Sequence, residues 1–428
     1  MTYFPNWSVI PFVLMLLSMA VLPMATPVWW SRNRNKTILS GIMSVPVLVL
    51  AIVFHCQPRL LVHSMLDYVS FIILLGALFV ISGGIHIRGA WAGTPLVNTI
   101  FLGVGAVLSN LIGTTGASML LIRPYMRANH RRQRRTHQII FFIFVVSNVG
   151  GLLTPLGDPP LFLGFLRGVP FHWTLRLFPQ WMLVVGLILI VFNFIDQYIF
   201  NKEDIDTPGA LTEEVQSHRR IHIDGGRNFV CILGVMAAAP LSSCLGGPRG
   251  IQESVMVAMA LLSWFWTSRP IHKVNHFEFE PIMEVAALFL GIFVTMVPAL
   301  EILSRQAPSW NLTHAWQYFW LTGALSSFLD NAPTYLTFGA LASGSLGGSV
   351  ENLGMLLHSG PGARLLSAIS CGAVFMGANT YIGNGPNLMV RSIAERSGIR
   401  MPTFFGYMVY SMAILIPLFV VISIVFFR

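Results

Sequence analysis

Thr154-Pro155-Leu156-Gly157-Asp158-Pro159-Pro160 places a carboxylate and three prolines inside an otherwise apolar stretch. A second segment, Thr380-Tyr381-Ile382-Gly383-Asn384-Gly385-Pro386, answers it 226 residues later. Working outward, Ser109-Asn110-Leu111-Ile112-Gly113-Thr114-Thr115 lies ahead of the first, and Ser327-Phe328-Leu329-Asp330-Asn331-Ala332-Pro333 lies ahead of the second. The latter two pair at an offset of 218, which sets Asp330 opposite Ile112. Proline removes a backbone donor and glycine permits non-helical torsions, so all four segments should interrupt helices. In a bilayer, backbone freed from helical bonding is tolerated only where protein buries it or it lines a polar cavity. Broken polar segments in corresponding places of two halves point to the binding site of a transporter.

The surrounding composition fixes the class. Of 428 residues, 54% are hydrophobic and 10% charged, against roughly 25% charged for a soluble domain. Repeated apolar runs of about 20 residues can each cross a bilayer core of about 30 Å. An all-α polytopic membrane protein is predicted, with lipid and small ions as its partners. The net charge of +9 reflects topology rather than a nucleic-acid partner. The N-terminal MTYFPNWSVIPF lacks the basic region of a cleavable signal. Cys56, Cys231, Cys244 and Cys371 are scattered without metal-ligand spacing and read as small buried hydrophobes.

Ten crossings are expected, near 10–30, 37–55, 66–84, 139–166, 178–200, 228–245, 253–267, 282–300, 363–390 and 403–427. The stretches 95–122 and 315–343 are too long for one span and too short for two, which fits two re-entrant hairpins. With both termini outside, 19 of the 26 Lys and Arg residues fall in loops on the inner side and seven on the outer, as the positive-inside rule requires. The two halves then enter the membrane in opposite senses, an inverted-topology repeat. The organisation expected is N-terminal helices over 1–65, a first repeat over 66–200, a charged inner linker over 201–227, and a second half over 228–427.

Two acidic residues lie within the broken segments. Asp158 and Asp330 are candidate Na⁺ ligands: a carboxylate at membrane depth is costly and usually functional. The alternative is that each caps a half-helix by accepting its orphan N–H groups. Burial disfavours a charged carboxylate and a bound cation favours it, so H⁺ and Na⁺ competing for one carboxylate can couple an exchanger. Glu284, one turn inside the eighth span, is a possible proton relay. Asp67 and Asp196 sit near span ends and read as solvated, and the arginines at 127–135 as topological anchors.

The four motifs in order resemble the ion transporter superfamily over about residues 66–427, closest to NhaD-type sodium/proton antiporters and to a citrate transporter family defined from sequence. The resemblance implies an elevator-type transporter, a homodimer, with no cofactor beyond Na⁺ and H⁺ as transported or coupling ions. It implies one site from Ser109, Asn110, Gly113, Thr114, Thr154, Gly157 and Asp158. A second would use Ser327, Asp330, Asn331, Thr334, Asn379, Thr380, Gly383, Asn384 and Asn387. Asp158 and the Leu-Asp-Asn of the second hairpin are closer to the antiporters than to sodium-coupled carboxylate carriers. Ile112-Gly113, where that type has Asp-Asn, departs from it. Sodium/proton or lithium/proton antiport across a bacterial inner membrane is the leading expectation. Secondary transport of citrate, another organic anion or an arsenite-type oxyanion is the alternative. Neither His-Glu-x-x-His nor the paired aspartyl motifs of intramembrane proteases occur, so an enzyme is not expected.

Overall fold

The computed structural model describes residues 3–30, 32–90, 92–206, 219–244, 250–275 and 277–428. The chain is a multi-pass α-helical membrane protein. Among the described residues, nine helical stretches are long and apolar enough to cross a membrane. Length alone does not reproduce the expected ten crossings. The nine include Pro95–Ala128, which folds back on itself, and omit Asn228–Cys244 and Ile251–Trp266, of 17 and 16 residues. Part of the turn between those two, and 207–218 of the expected linker, lie outside the described residues.

Both long interrupted stretches are helical hairpins. Asn98 and Asn129 exchange side-chain amide hydrogen bonds at 2.9 Å, although a straight helix would hold them about 46 Å apart. The reversal falls at Gly113, at φ 76° and ψ 155°, a region essentially reserved for glycine. In the second hairpin, helix Ala315–Ser326 turns at 327–330 into helix Asn331–Ser345, and the Tyr318 hydroxyl meets Ser345 Oγ at 3.4 Å.

The hairpins open towards opposite ends of the molecule. Helix Glu280–Gln306 supplies the reference, its 27 residues measuring about 40 Å. Near its N-terminal end, Asn275 bonds the carbonyls of Gly83 and Ile85, each at 2.8 Å. Around those residues the first hairpin is anchored, through Arg127 to Ile87 O at 2.6 Å and Arg132 to Gly93 O at 3.1 Å. At the other end of the reference helix, Gly344 of the second hairpin packs on the backbone of Ser304.

One face gathers the segments that sequence assigns to the inner side. Lys36 pairs with Glu284 at 2.6 Å, and Thr136 Oγ1 donates to Arg400 O at 2.9 Å. His86–Ala90 and Arg219–Asp224 form an antiparallel two-stranded ribbon, a departure from the all-α expectation. The strands join two of those loops, where apolar helix-forming periodicity is lacking and β-branched isoleucines alternate with polar residues.

Asp196 is not solvated, contrary to expectation. It is fully buried against Arg132 at 2.9 Å, His137 at 2.8 Å and Asn98 at 3.0 Å, and Arg132 also holds Glu203 at 2.6 Å. Arg132 is therefore a structural cation as well as a topological one. The long helix Phe178–Asp206 carries both carboxylates past the base of the first hairpin, which is why a span-end acid became buried. Asp67 is part of an ion pair too, with Arg167 at 3.4 Å.

Removing one partner from a buried ion cluster strands the others, a cost of about 3–5 kcal/mol. Arg132→Met should accordingly depress the thermal midpoint of the purified protein in detergent far more than Arg131→Met at the exposed neighbouring position. Equal midpoints for the two variants would show that the Arg132 cluster does not hold the hairpin base.

Candidate functional site

Asp158 occupies the meeting point of all four interrupted segments. Its backbone is extended, at φ −145° and ψ 144°, immediately before helix Pro159–Leu166. Prolines at the first two helical positions remove the N–H groups nearest to it, and its side chain caps no helix. Instead the carboxylate collects donors from elsewhere. Thr114 Oγ1 of the first hairpin donates to Oδ1 at 2.8 Å. Asn384 Nδ2 of the second broken segment donates to the same oxygen at 3.2 Å. Asn331 Nδ2 of the second hairpin donates to Oδ2. Asp158 is 1% exposed, and among the described residues no Lys, Arg or His pairs with it.

The walls of the site are backbone held in unusual places by side chains. Ser109 Oγ donates to Val146 O at 2.7 Å, and Asn110 Oδ1 accepts from Leu153 N at 2.7 Å. Thr154 Oγ1 closes on Asn110 O. Thr114 N donates to Gly157 O at 2.8 Å. At Gly157 a Cβ would stand 2.2 Å from Gly151 O, so only glycine lets the chain pass itself there.

The second half repeats these contacts. Ser326 Oγ donates to Ala373 O at 2.7 Å, and Thr380 Oγ1 closes on Ser327 O. Gly383 crosses Gly377 as Gly157 crosses Gly151. Asn379 Nδ2 donates to Ser327 Oγ at 2.9 Å, and Asn387 Nδ2 to the carbonyls of Gly377 and Thr380, each at 2.9 Å. These matched bonds correct the hairpin offset from 218 to 217, pairing Ser109 with Ser326 and Asn110 with Ser327. Asp330 then corresponds to Gly113, not Ile112, and Asn331 corresponds to Thr114. The adjacent serines at 326 and 327 made the register ambiguous by one residue.

The two expected sites are not separate. Asn331 and Asn384, assigned to the second, both bond the carboxylate of the first. Asp330 plays a different part from Asp158: it is half-buried and accepts from Ala332 N at 3.0 Å, capping helix Asn331–Ser345. Thr334 Oγ1 turns back to Asp330 O at 2.9 Å, serving the helix. Glu284 is engaged by Lys36, while its neighbours Pro281, Ile282 and Val285 border the cavity described below.

Asn148 belongs to the site although sequence reasoning did not select it. Its Nδ2 donates to Asn387 Oδ1 at 2.7 Å, linking the two broken segments. Its position just upstream of Gly150-Gly151, in a run of apolar residues, was the available signal. The amide oxygens of Asn148, Asn331 and Asn379 are buried without a hydrogen-bond partner among the described residues. Amide oxygens and carboxylates are hard donors of the kind that small, hard cations prefer.

A cavity of about 80 Å³ opens beside the carboxylate. Thr114, Thr115 and Asp158 supply its polar side chains, Phe71, Leu74 and Leu78 one apolar wall, and no basic residue lines it.

Comparison with known proteins gives the same class. Residues 1–427 match the family described as "Putative citrate transport". Uncharacterized transporters of Mycobacterium bovis and Mycobacterium tuberculosis are each 23% identical over 394 residues, covering 86% of this chain and 88% of theirs. The match along almost the whole chain makes it a member of that family, a multi-pass membrane transport protein and not an enzyme.

Proposed function

We propose that this protein is a secondary active transporter that exchanges a small monovalent cation, Na⁺ or Li⁺, for H⁺ at Asp158. The observation that carries this reading is a fully buried carboxylate with three hydrogen-bond donors and, among the described residues, no cationic side chain as partner. Burying an uncompensated charge is expensive. A proton or a bound cation removes that cost, and only one of them can do so at a time. Exclusive occupancy of one group by two ions is sufficient for obligatory exchange. No basic residue among the described ones lines the cavity, which favours a cation over a tricarboxylate.

In this reading both hairpins are re-entrant, entering from opposite membrane faces, with the two halves forming an inverted repeat. The hairpins and broken segments travel together as an elevator against a scaffold that includes residues 1–65, within a homodimer. The lysine- and arginine-rich face lies in the cytoplasm and both termini lie outside a bacterial inner membrane. Asn331, Asn384 and the hydroxyl of Thr114 orient the carboxylate, and the free amide oxygen of Asn331 completes the cation's coordination.

Citrate transport is the second reading, favoured by the family's description. The start of helix Gly385–Arg396 is the kind of helix N-terminus that suits an anion. Proteoliposomes separate the two: antiport predicts Na⁺- or Li⁺-dependent collapse of a pH gradient with no citrate accumulation. Saturable citrate uptake, with no cation-driven proton flux in its absence, would establish the second reading instead.

Asp158→Asn keeps size and hydrogen bonding while removing the charge. Exchange should fall at least about tenfold, equivalent to about 1.4 kcal/mol in barrier, with the protein still correctly inserted. Asp330→Asn preserves a helix cap, since Asn caps as well as Asp, and should retain most of the activity. Native rates in Asp158→Asn, or a comparable loss in Asp330→Asn, would contradict this division of roles.

The pH dependence has a definite sign. A carboxylate must lose its proton before it accepts a cation, so apparent Na⁺ affinity should tighten from about pH 6.5 to about pH 8.5 and level off once the group is ionised. Titrating the half-saturating Na⁺ concentration across that range provides the check, and an affinity that weakens with rising pH would rule out competition at one carboxylate.

A further inference from the structure

Asp158 and Asn384 are the same position in the two halves. They lie 226 residues apart, the spacing that also relates Gly151 to Gly377 and Gly157 to Gly383, whose backbones cross in the same way. Each immediately precedes a half-helix with proline in its first turn, and neither side chain caps that helix. Their backbones nearly coincide in conformation, with φ −145° and ψ 144° at Asp158 and φ −152° and ψ 140° at Asn384. Both are buried, at 1% and 3% exposure, and they touch across the repeat interface through Asn384 Nδ2 and Asp158 Oδ1 at 3.2 Å. The two side chains have the same shape and differ only in replacing an oxygen by NH₂.

We infer that Asn384 is the second half of the ion-binding element, a position equivalent to Asp158 that can take over the carboxylate, with the amide moved to 158, and restore most of the transport. The inference rests on the exchange reading above and adds to it that the site needs one carboxylate within this pair, on either repeat. The surroundings support the swap. Thr114 and Asn331 are themselves equivalent under the corrected register, and both already reach into the shared space to donate to Asp158. A carboxylate at 384 would keep the contact with residue 158, where an Asn supplies the donor in its turn. Asn384 Nδ2 also donates to Ser147 O at 3.1 Å, a bond the swap gives up. Partial rather than complete recovery is therefore expected. On the second hairpin, the Asp330 carboxylate is engaged in its cap.

The test compares Asp158→Asn, Asn384→Asp and the exchange Asp158→Asn/Asn384→Asp in proteoliposomes, measuring Na⁺- and Li⁺-driven proton flux. Each protein is checked for monodisperse elution and its thermal midpoint. The single Asp158→Asn should lose at least about tenfold, and the double exchange should return to within about threefold of the native rate. A folded double exchange as inactive as the single variant would overturn the inference and leave the exchange reading standing. Native activity in Asp158→Asn would overturn both, because no carboxylate of the pair would then be needed. Should the double exchange fail to fold, Asn384→Ser decides the matter. It should raise the half-saturating cation concentration by about threefold or more with little change in maximal rate, and an unchanged value would exclude Asn384 from the site.

Discussion

A single buried carboxylate, with no positive partner among the described residues, constrains everything around it. Asp158 is buried where the tips of two hairpins and two broken helices converge, and each partner segment sends it a donor or forms its wall. Three hydrogen bonds orient the group and compensate part of its desolvation, but they do not neutralise it. In the proposed exchange, the compensation of that charge comes from outside the protein, as a proton or a cation. This distinguishes it from the buried Arg132–Asp196–Glu203 cluster, where compensation is internal and the role is structural.

Interrupting four helical stretches inside an apolar protein frees many backbone groups, and nearly every polar side chain in the motifs is spent on them. Ser109, Ser326, Thr154 and Thr380 donate to carbonyls of the neighbouring segment. Trp181 supplies Gly150 O at 3.0 Å. The last helix adds Tyr407 to Ala378 O at 2.8 Å and Ser411 to Asn379 O at 2.6 Å. These hydroxyls hold the interrupted backbone in place. Around the carboxylate, Thr114, Asn331 and Asn384 give it their donors, and the amide oxygens of Asn148, Asn331 and Asn379 are left without a hydrogen-bond partner among the described residues. Such an economy follows from the membrane setting, where water is not at hand to satisfy a freed carbonyl.

The broken segments and hairpins were legible because Pro, Gly, Asn and Asp are conspicuous within apolar sequence. The common side of the basic loops was legible from charge alone, and the Lys36–Glu284, Arg127–Ile87 and Thr136–Arg400 contacts bring several of them to one face. Register was not legible to the residue, since Ser326-Ser327 offers two equally good partners for Ser109 and only the matched bonds choose between them. Nor could sequence distinguish Asp158 from Asp330: both precede helices and lie near proline, but the cap at Asp330 depends on a free N–H at Ala332 that Pro159 and Pro160 deny to Asp158. Asp196 was misread because its burial comes from Arg132 and Asn98, 64 and 98 residues away. The short ribbon was missed because its two strands, 86–90 and 219–224, are far apart and too short to announce themselves.

Proton release on cation binding tests the central claim most directly. Calorimetric titration of the purified protein with Na⁺ and with Li⁺, near neutral pH and in buffers of different ionisation enthalpy, counts the protons displaced per ion bound. Exclusive occupancy of Asp158 predicts release of up to about one proton per cation, declining as pH rises, and none in Asp158→Asn. Saturable cation binding that releases no proton at any pH, or the same release after Asp158→Asn, would contradict the account.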